Sequence, residues 1–154
     1  MVVTTTLEDV VAAVPDPELP MVTIADLGIL RSVDVSDDGR VTVTITPTYS
    51  GCPAMDTIRT DIRRALAATG HPDVEVRTQL SPAWTTDWMS GTAKRKLADA
   101  GIAPPAPVLL RIAVRCPQCG SPDTQEISRY GSTSCKSLWR CRTCAEPFDH
   151  FKAL

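Results

Sequence analysis

Two C-x-x-C pairs constrain this chain more than any other feature: Cys116–Cys119 in "CPQCG" and Cys141–Cys144 in "CRTCA", with 21 residues between them. A C-x-x-C turn brings two thiolates toward a common ion, and two such turns on adjacent hairpins make a tetrahedral four-sulfur cage. Pro117 stiffens the first knuckle and Gly120 tolerates a positive φ, whereas the second has Ala145 where glycine is common. The surrounding segment, residues 108–154, carries few large apolar side chains, and a piece that small rarely holds together by burial alone. It reads as a small β-rich zinc ribbon built from "VLLRIAVRC", "TQEISRYG", "KSLWRC" and "PFDHF". Four thiolates can also hold iron, singly or as an iron–sulfur cluster.

Upstream of the ribbon, "IAPPAPV" has three prolines in seven residues and no periodicity, so residues 102–107 are expected to be a Pro-rich linker. Charge changes across it. Residues 1–107 carry 9 Lys/Arg against 14 Asp/Glu, and residues 108–154 carry 7 against 4, as two modules with different surfaces would.

The first module, residues 1–101, reads as α+β, a small mixed sheet with helices packed on it. Leu7, Val10, Val11 and Val14 share one helical face that Pro15 ends. "RSVDV" and "RVTVTITP", joined through Asp37-Asp38-Gly39, predict a hairpin burying Val33, Val35, Val41, Val43 and Ile45. Met55, Ile58, Ile62, Ala65 and Leu66 recur at helical spacing before Gly70. "DVEVRTQL" predicts a strand with Val74, Val76 and Leu80 inward, and a short helix follows over residues 92–100.

The N-terminus has no basic flank or long apolar run, and no stretch reaches the roughly 18 apolar residues of a membrane span. The chain is therefore expected in the cytoplasm, where six reduced cysteines argue for metal or thiol chemistry over disulfides. No phosphate-cradling glycine loop, catalytic dyad or cofactor fingerprint is present, so no enzyme activity is expected.

Cys52 stands apart from the other five cysteines, in "YSGCPAMD". Pro53 suits the first helical position, which makes Cys52 the expected N-cap, with free N–H groups and the helix dipole aimed at its sulfur. That placement lowers a thiol's pKa. The alternative is a small residue filling a strand-to-helix corner. Without a Cys–His constellation or a C-x-x-C partner, hydrolase and thioredoxin chemistry are disfavoured, leaving a ligand or transfer role. Cys135, in "GSTSCKS", is left over from the tetrad and reads either as a small buried residue or as a second functional thiol. His71 and His150 have no partner in sequence, Trp84 and Trp88 read as packing residues flanking a cleft or as a ligand platform, and Lys94-Arg95-Lys96 as a solvated helix face or a docking surface.

"DPELP" (16–20), "DLGIL" (26–30), "YSGCP" (49–53) and "AWTTDWMS" (83–90) together resemble the metal–sulfur cluster biosynthetic domain family, which includes the SufT-type iron–sulfur assembly factors. "CPQCGS", "ISRYGSTSCKSLWRC" and "CAEPFDHFK" extend the resemblance to the PaaD (PaaJ) family, accessory proteins of the phenylacetyl-CoA epoxidase system of aerobic phenylacetate degradation. Here Tyr49-Ser50 replaces the family's more frequent Ser/Thr-Pro. The resemblance implies a non-catalytic maturation factor for the multicomponent oxygenase. Its functional thiol would be Cys52, a transient ligand of iron or an iron–sulfur cluster, with Asp16 and Glu18 as cleft neighbours. The tetrad Cys116, Cys119, Cys141 and Cys144 would hold structural zinc or a cluster, and Cys135 falls in the resembling region. The implied partners are the di-iron hydroxylase and the iron–sulfur flavoprotein reductase. One thiolate cannot saturate a cluster, so a second chain in a homodimer, a client cysteine or Cys135 must contribute. The competing readings are a structural subunit of the oxygenase, and a zinc-ribbon nucleic-acid binder resting on Trp139, Tyr130 and the basic second module.

Overall fold

A computed structural model describes residues 5–105 and 113–153. They fall into two compact units, Met1–Trp84 and Thr85–Leu154. The chain is α+β, with two small sheets and three α-helices.

In the first unit, Thr6 caps α1 (Leu7–Ala12) through a reciprocal box with Asp9, whose N–H donates to Thr6 Oγ1 at 3.1 Å. Such a box satisfies two orphan donors of the first turn. β1 (Leu30–Val35) and β2 (Val41–Ile45) form the antiparallel hairpin, Val33 opposite Val43 and Val35 opposite Val41. α2 (Ala54–Ala67) then crosses to β3 (Val74–Thr78), which runs parallel to β2, giving the order β1-β2-β3. α1 packs on β1 and α2, and α2 packs on β3. Val41, Val43 and Ile45 are fully buried from the sheet, and Ile58, Ile62 and Leu66 from α2. Each is worth roughly 1.5–3 kcal/mol of transfer free energy as an upper estimate.

Two expected core positions are corrected. Val35 is 56% exposed because it lies on the edge strand β1, beside the hairpin turn. Leu80 is 61% exposed because β3 ends at Thr78, so strict alternation no longer governs its direction.

In the second unit a single 3₁₀ turn (Thr86–Trp88) leads to α3 (Gly91–Asp99), capped by Ser90 and packed against β4 (Ile102–Ala103). β5 (Thr124–Ser128), β6 (Lys136–Cys141) and β7 (Pro147–Phe151) complete a sheet of order β4-β7-β6-β5. Ile102 and Ala103 pair in parallel with Asp149 and His150. The expected linker therefore begins with a strand, and the division between compact units falls at Trp84/Thr85, before the proline-rich stretch. The predicted strand "VLLRI" lies outside the described residues. Among the described residues no helix is long and apolar enough to cross a membrane.

Candidate functional site

The four ribbon sulfurs converge. Cys116 Sγ lies 3.7 Å from Cys144 Sγ, Cys119 Sγ lies 3.6 Å from Cys141 Sγ, and all four are within 4.8 Å of one another. Zn–S bonds of about 2.3 Å in a tetrahedron require S···S edges of about 3.8 Å, which these two separations match, so the donor set suits zinc. Local geometry explains the convergence. Gly120, at φ +73°, closes the first knuckle with its N–H on the Cys116 carbonyl at 2.8 Å. Cys141 N–H donates to the Glu146 carbonyl at 2.9 Å and closes the second. Ala145 sits in the left-handed region at φ 65°, where glycine would be unstrained. A 2.8 Å contact between the Ser121 and Thr143 hydroxyls ties the knuckles together, and Cys116 and Cys141 pack with Ala103 and Phe148.

Backbone N–H groups of Cys144 and Thr143 pull Cys141 down to about 6. For Cys144, the Glu146 N–H favours the thiolate, but desolvation and the adjoining sulfurs prevail and push it up to about 12. A cation held among the four sulfurs would favour their ionised forms. When bound, zinc supplies folding free energy to this unit.

Cys52 lies in the strand-to-helix turn between β2 and α2, where Gly51 takes φ +81°. The N-cap is Pro53 rather than Cys52, and α2 begins at Ala54. The Cys52 carbonyl accepts from Met55 N–H at 3.2 Å, and its sulfur receives the Ala54 N–H. The expected depression of its pKa is overturned. Burial pushes the thiol up, Glu18 and Asp16 add to that, and hydrogen bonds from Ala54 N–H and the Tyr49 hydroxyl only partly offset it. Cys52 is half-buried and predominantly protonated at neutral pH.

Asp16 and Glu18 do come close enough to Cys52 to act on its charge. Their roles differ. Asp16 is buried, and its Oδ1 accepts from Glu18 N–H at 2.9 Å and Leu19 N–H at 2.8 Å, which shapes the "DPELP" loop. Glu18 is the stronger electrostatic neighbour of the thiol. Cys135 is not part of the ribbon tetrad. It is buried just ahead of β6, 3.0 Å from the Thr133 hydroxyl. His150 stacks edge-on against Trp139, 5.7 Å between ring centres, and His71 lies near Thr69.

Of the residues in this region, Thr46 emerged only in the fold. A cavity of about 190 Å³ lies beyond the carboxyl ends of the parallel strands β2 and β3. Residues Thr46 to Ser50 line one side, and Leu80, Ala83 and Trp84 the other. Trp84 is 5% exposed and its indole N–H donates to the Leu27 carbonyl at 2.7 Å, fixing that wall. Thr46 is 1% exposed, and its hydroxyl is buried without a hydrogen-bond partner among the described residues. Tyr49 belongs to the cavity and to the Cys52 sulfur at once. The sequence signal was the threonine-rich run leading into "YSGCP".

The family model of the PaaD zinc beta ribbon domain matches residues 106–152, and that of an iron–sulfur cluster assembly protein matches residues 4–78. An Escherichia coli (strain K12) protein, named as one of the subunits of a "Putative 1,2-phenylacetyl-CoA epoxidase", is 49% identical over 145 residues, covering 92% of this chain and 87% of that one. The chain belongs to the PaaD family. Its first part has wider kinship: a Porphyromonas gingivalis "Fe-S protein maturation auxiliary factor" is 42% identical over 96 residues, 60% of this PaaD-family chain and 90% of that protein. The crystal structure of a DUF59 domain from Bacillus anthracis superposes with a TM-score of 0.55 at 32% identity, covering 59% of this chain and 87% of that one. The converging tetrad thus sits in the PaaD ribbon, and Cys52 in the iron–sulfur assembly domain.

Proposed function

We propose that this chain carries iron or an iron–sulfur cluster, as cargo, to the multicomponent phenylacetyl-CoA epoxidase during its maturation. Cys52 is the sulfur that receives the cargo, and the zinc ribbon stabilises the second unit and docks the client. The clients are the di-iron hydroxylase and the iron–sulfur flavoprotein reductase, and the work is done in the cytoplasm. The setting of Cys52 carries this reading: a lone half-buried thiol with Glu18 and Asp16 beside it. Two carboxylates disfavour the thiolate that a nucleophile or exchange thiol needs. They attract a cation, however, and a cation on sulfur displaces the proton. Support also comes from relatives of the first part that are named Fe-S protein maturation auxiliary factors.

The test is metal analysis with optical spectroscopy on anaerobically purified protein, wild type against Cys52→Ala. Wild type is expected to hold about one zinc, together with iron that gives sulfide-to-iron charge-transfer bands. The variant should keep zinc and lose iron. Identical zinc-only spectra from both proteins would remove Cys52 from the cargo path. The E. coli relative carries the name of an epoxidase component, and this favours a second reading, a stoichiometric part of the oxygenase. Under that reading the protein stays in the complex throughout turnover, whereas a maturation factor becomes dispensable once the oxygenase is active.

A further inference from the structure

We propose that the turn joining β5 to β6 presents Tyr130, with Arg129 and Lys152 beside it, as the point at which the ribbon docks an acidic surface of its client protein. This rests on the reading that the ribbon docks the client, and names the surface it uses. Among the described residues of the second unit, the exposed large hydrophobics are Tyr130, at 78%, and Ile127, at 55%. Arg129 is exposed between them. The Lys152 ammonium lies 5.6 Å from the centre of the Tyr130 ring and donates to the Arg129 carbonyl at 3.2 Å, so an aromatic ring and two cations share one patch. Among the described residues no carboxylate pairs with either cation. Tyrosine and arginine are enriched among the anchors of protein interfaces, and a tyrosine brings a large contact area at low conformational cost.

The turn is braced from within. Gly131 N–H donates to the Lys136 carbonyl at 2.9 Å, and Lys136 N–H to the Thr133 carbonyl at 3.1 Å, which closes the loop on itself. Tyr130 N–H donates to Ser128 Oγ at 3.1 Å, and Lys152 N–H to the Cys135 carbonyl at 2.9 Å. Behind the loop Lys136, only 5% exposed, donates through Nζ to Ser132 Oγ at 3.1 Å, and that hydroxyl donates to Asp149 Oδ2 at 2.9 Å. Gly131 has no room for a side chain, since a Cβ there would meet Asp149 Oδ1 at 2.7 Å. A loop ordered to this degree has already lost the freedom that binding would otherwise remove, so a partner meets a preformed patch. Charge then selects the partner: two cations without carboxylates of their own, around an apolar ring, suit an acidic protein surface. Nucleic acid suits the patch less. Glu126, exposed on the same strand, repels phosphates, and Trp139 is half-buried against the cysteine cluster with its indole N–H on Ser137, so it adds no stacking face beside Tyr130.

The test titrates the full, zinc-loaded protein with the purified di-iron hydroxylase and, separately, with the iron–sulfur flavoprotein reductase. One of them is expected to bind saturably and to shift the ¹H–¹⁵N cross-peaks of Ile127, Arg129, Tyr130 and Gly131. Tyr130→Ala, at a side chain too exposed to support the fold, should weaken binding about tenfold while zinc content stays that of wild type. Arg129→Glu combined with Lys152→Glu should weaken it by a similar factor and remove most of its salt dependence. No binding of either component, or binding unchanged in Tyr130→Ala, overturns the surface. Tighter binding by the charge-reversed protein overturns the acidic partner. A dimer of this chain that Tyr130→Ala dissociates, with no client bound, gives the patch to a second copy and overturns the proposal. Tighter binding of a single-stranded oligonucleotide than of either component does the same in favour of nucleic acid. Cys52→Ala should bind the client as wild type does. If metal analysis removes Cys52 from the cargo path while Tyr130→Ala still loses the client, the cargo reading fails and the docking surface stands.

Discussion

Replacing Thr46 by valine keeps the shape of the side chain and removes one buried hydroxyl. Thr46 directly follows β2, where its N–H is held by the Ile29 carbonyl at 2.8 Å, so the backbone has no reason to move. The side chain is 1% exposed and its hydroxyl lacks a partner among the described residues. Burying such a group costs about 1–3 kcal/mol. Thr46→Val should therefore gain about 1 kcal/mol, the low end of the range. For a unit the size of Met1–Trp84 this corresponds to about 4–8 °C in Tm, or about 1 M in urea midpoint. Urea unfolding followed by the ¹H–¹⁵N cross-peaks of β2 and α2 reads this unit without contributions from the ribbon. A loss of 1 kcal/mol or more would refute the reasoning, because it would mean the hydroxyl is well partnered in solution.

Cys116→Ser, or zinc chelation, should unfold the ribbon and spare the first unit, since structural zinc contributes about 10–16 kcal/mol and no core of this size replaces it; unchanged NMR shifts in β5, β6 and β7 would count against the assignment. Ala145→Gly relieves a left-handed alanine at φ 65°. That strain costs about 1–2 kcal/mol and glycine's chain entropy returns part of it, so a net gain of about 0.5–1 kcal/mol is expected in unfolding of the zinc-loaded ribbon, and a loss would contradict it. Burial and then Glu18 push the Cys52 thiol up, so its alkylation by iodoacetamide in zinc-loaded protein should become appreciable only at a higher pH than for free cysteine. Glu18→Gln removes a like charge, favours the thiolate and should move that profile to lower pH; peptide mass spectrometry at Cys52 decides, and an unmoved profile denies Glu18 its electrostatic role.

The tetrad was legible because its stereochemistry is local: a C-x-x-C turn aims two sulfurs whatever surrounds it, and only the approach of the knuckles needed the fold. The buried face of α2 was legible through Ile58, Ile62 and Leu66, whose spacing matches the helical repeat. The state of Cys52 was not. Whether Pro53 is the first helical residue or the cap is a one-residue question, and both choices suit its φ of −67°. The direction of the thiol's shift depends on burial and on the "DPELP" loop, which only the fold brings near. Alternation likewise named the inward face of β1, but Val35 lies at the hairpin end of an edge strand. Strand β4 was hidden because two residues beside a proline run carry no period, and their pairing with Asp149 and His150 is imposed by β7.

The two sulfur sites divide along a thermodynamic line. In the ribbon, four thiols already stand at metal-ligand spacing, and the knuckles that aim them are tied to each other by Ser121 and Thr143. A metal there is part of the fold, and losing it means losing the fold. Cys52 offers one sulfur, held by a turn that is complete without any metal. A proton competes for that sulfur, and burial together with Glu18 and Asp16 strengthens the proton's hold. On the proposed carrier reading, cargo bound there would have to displace the proton, and its departure would return it, so the groups that keep the resting thiol neutral would assist release. Such a carrier would need that balance: four resident thiolates would retain iron against any client, whereas one resident sulfur could give way to a client's cysteines.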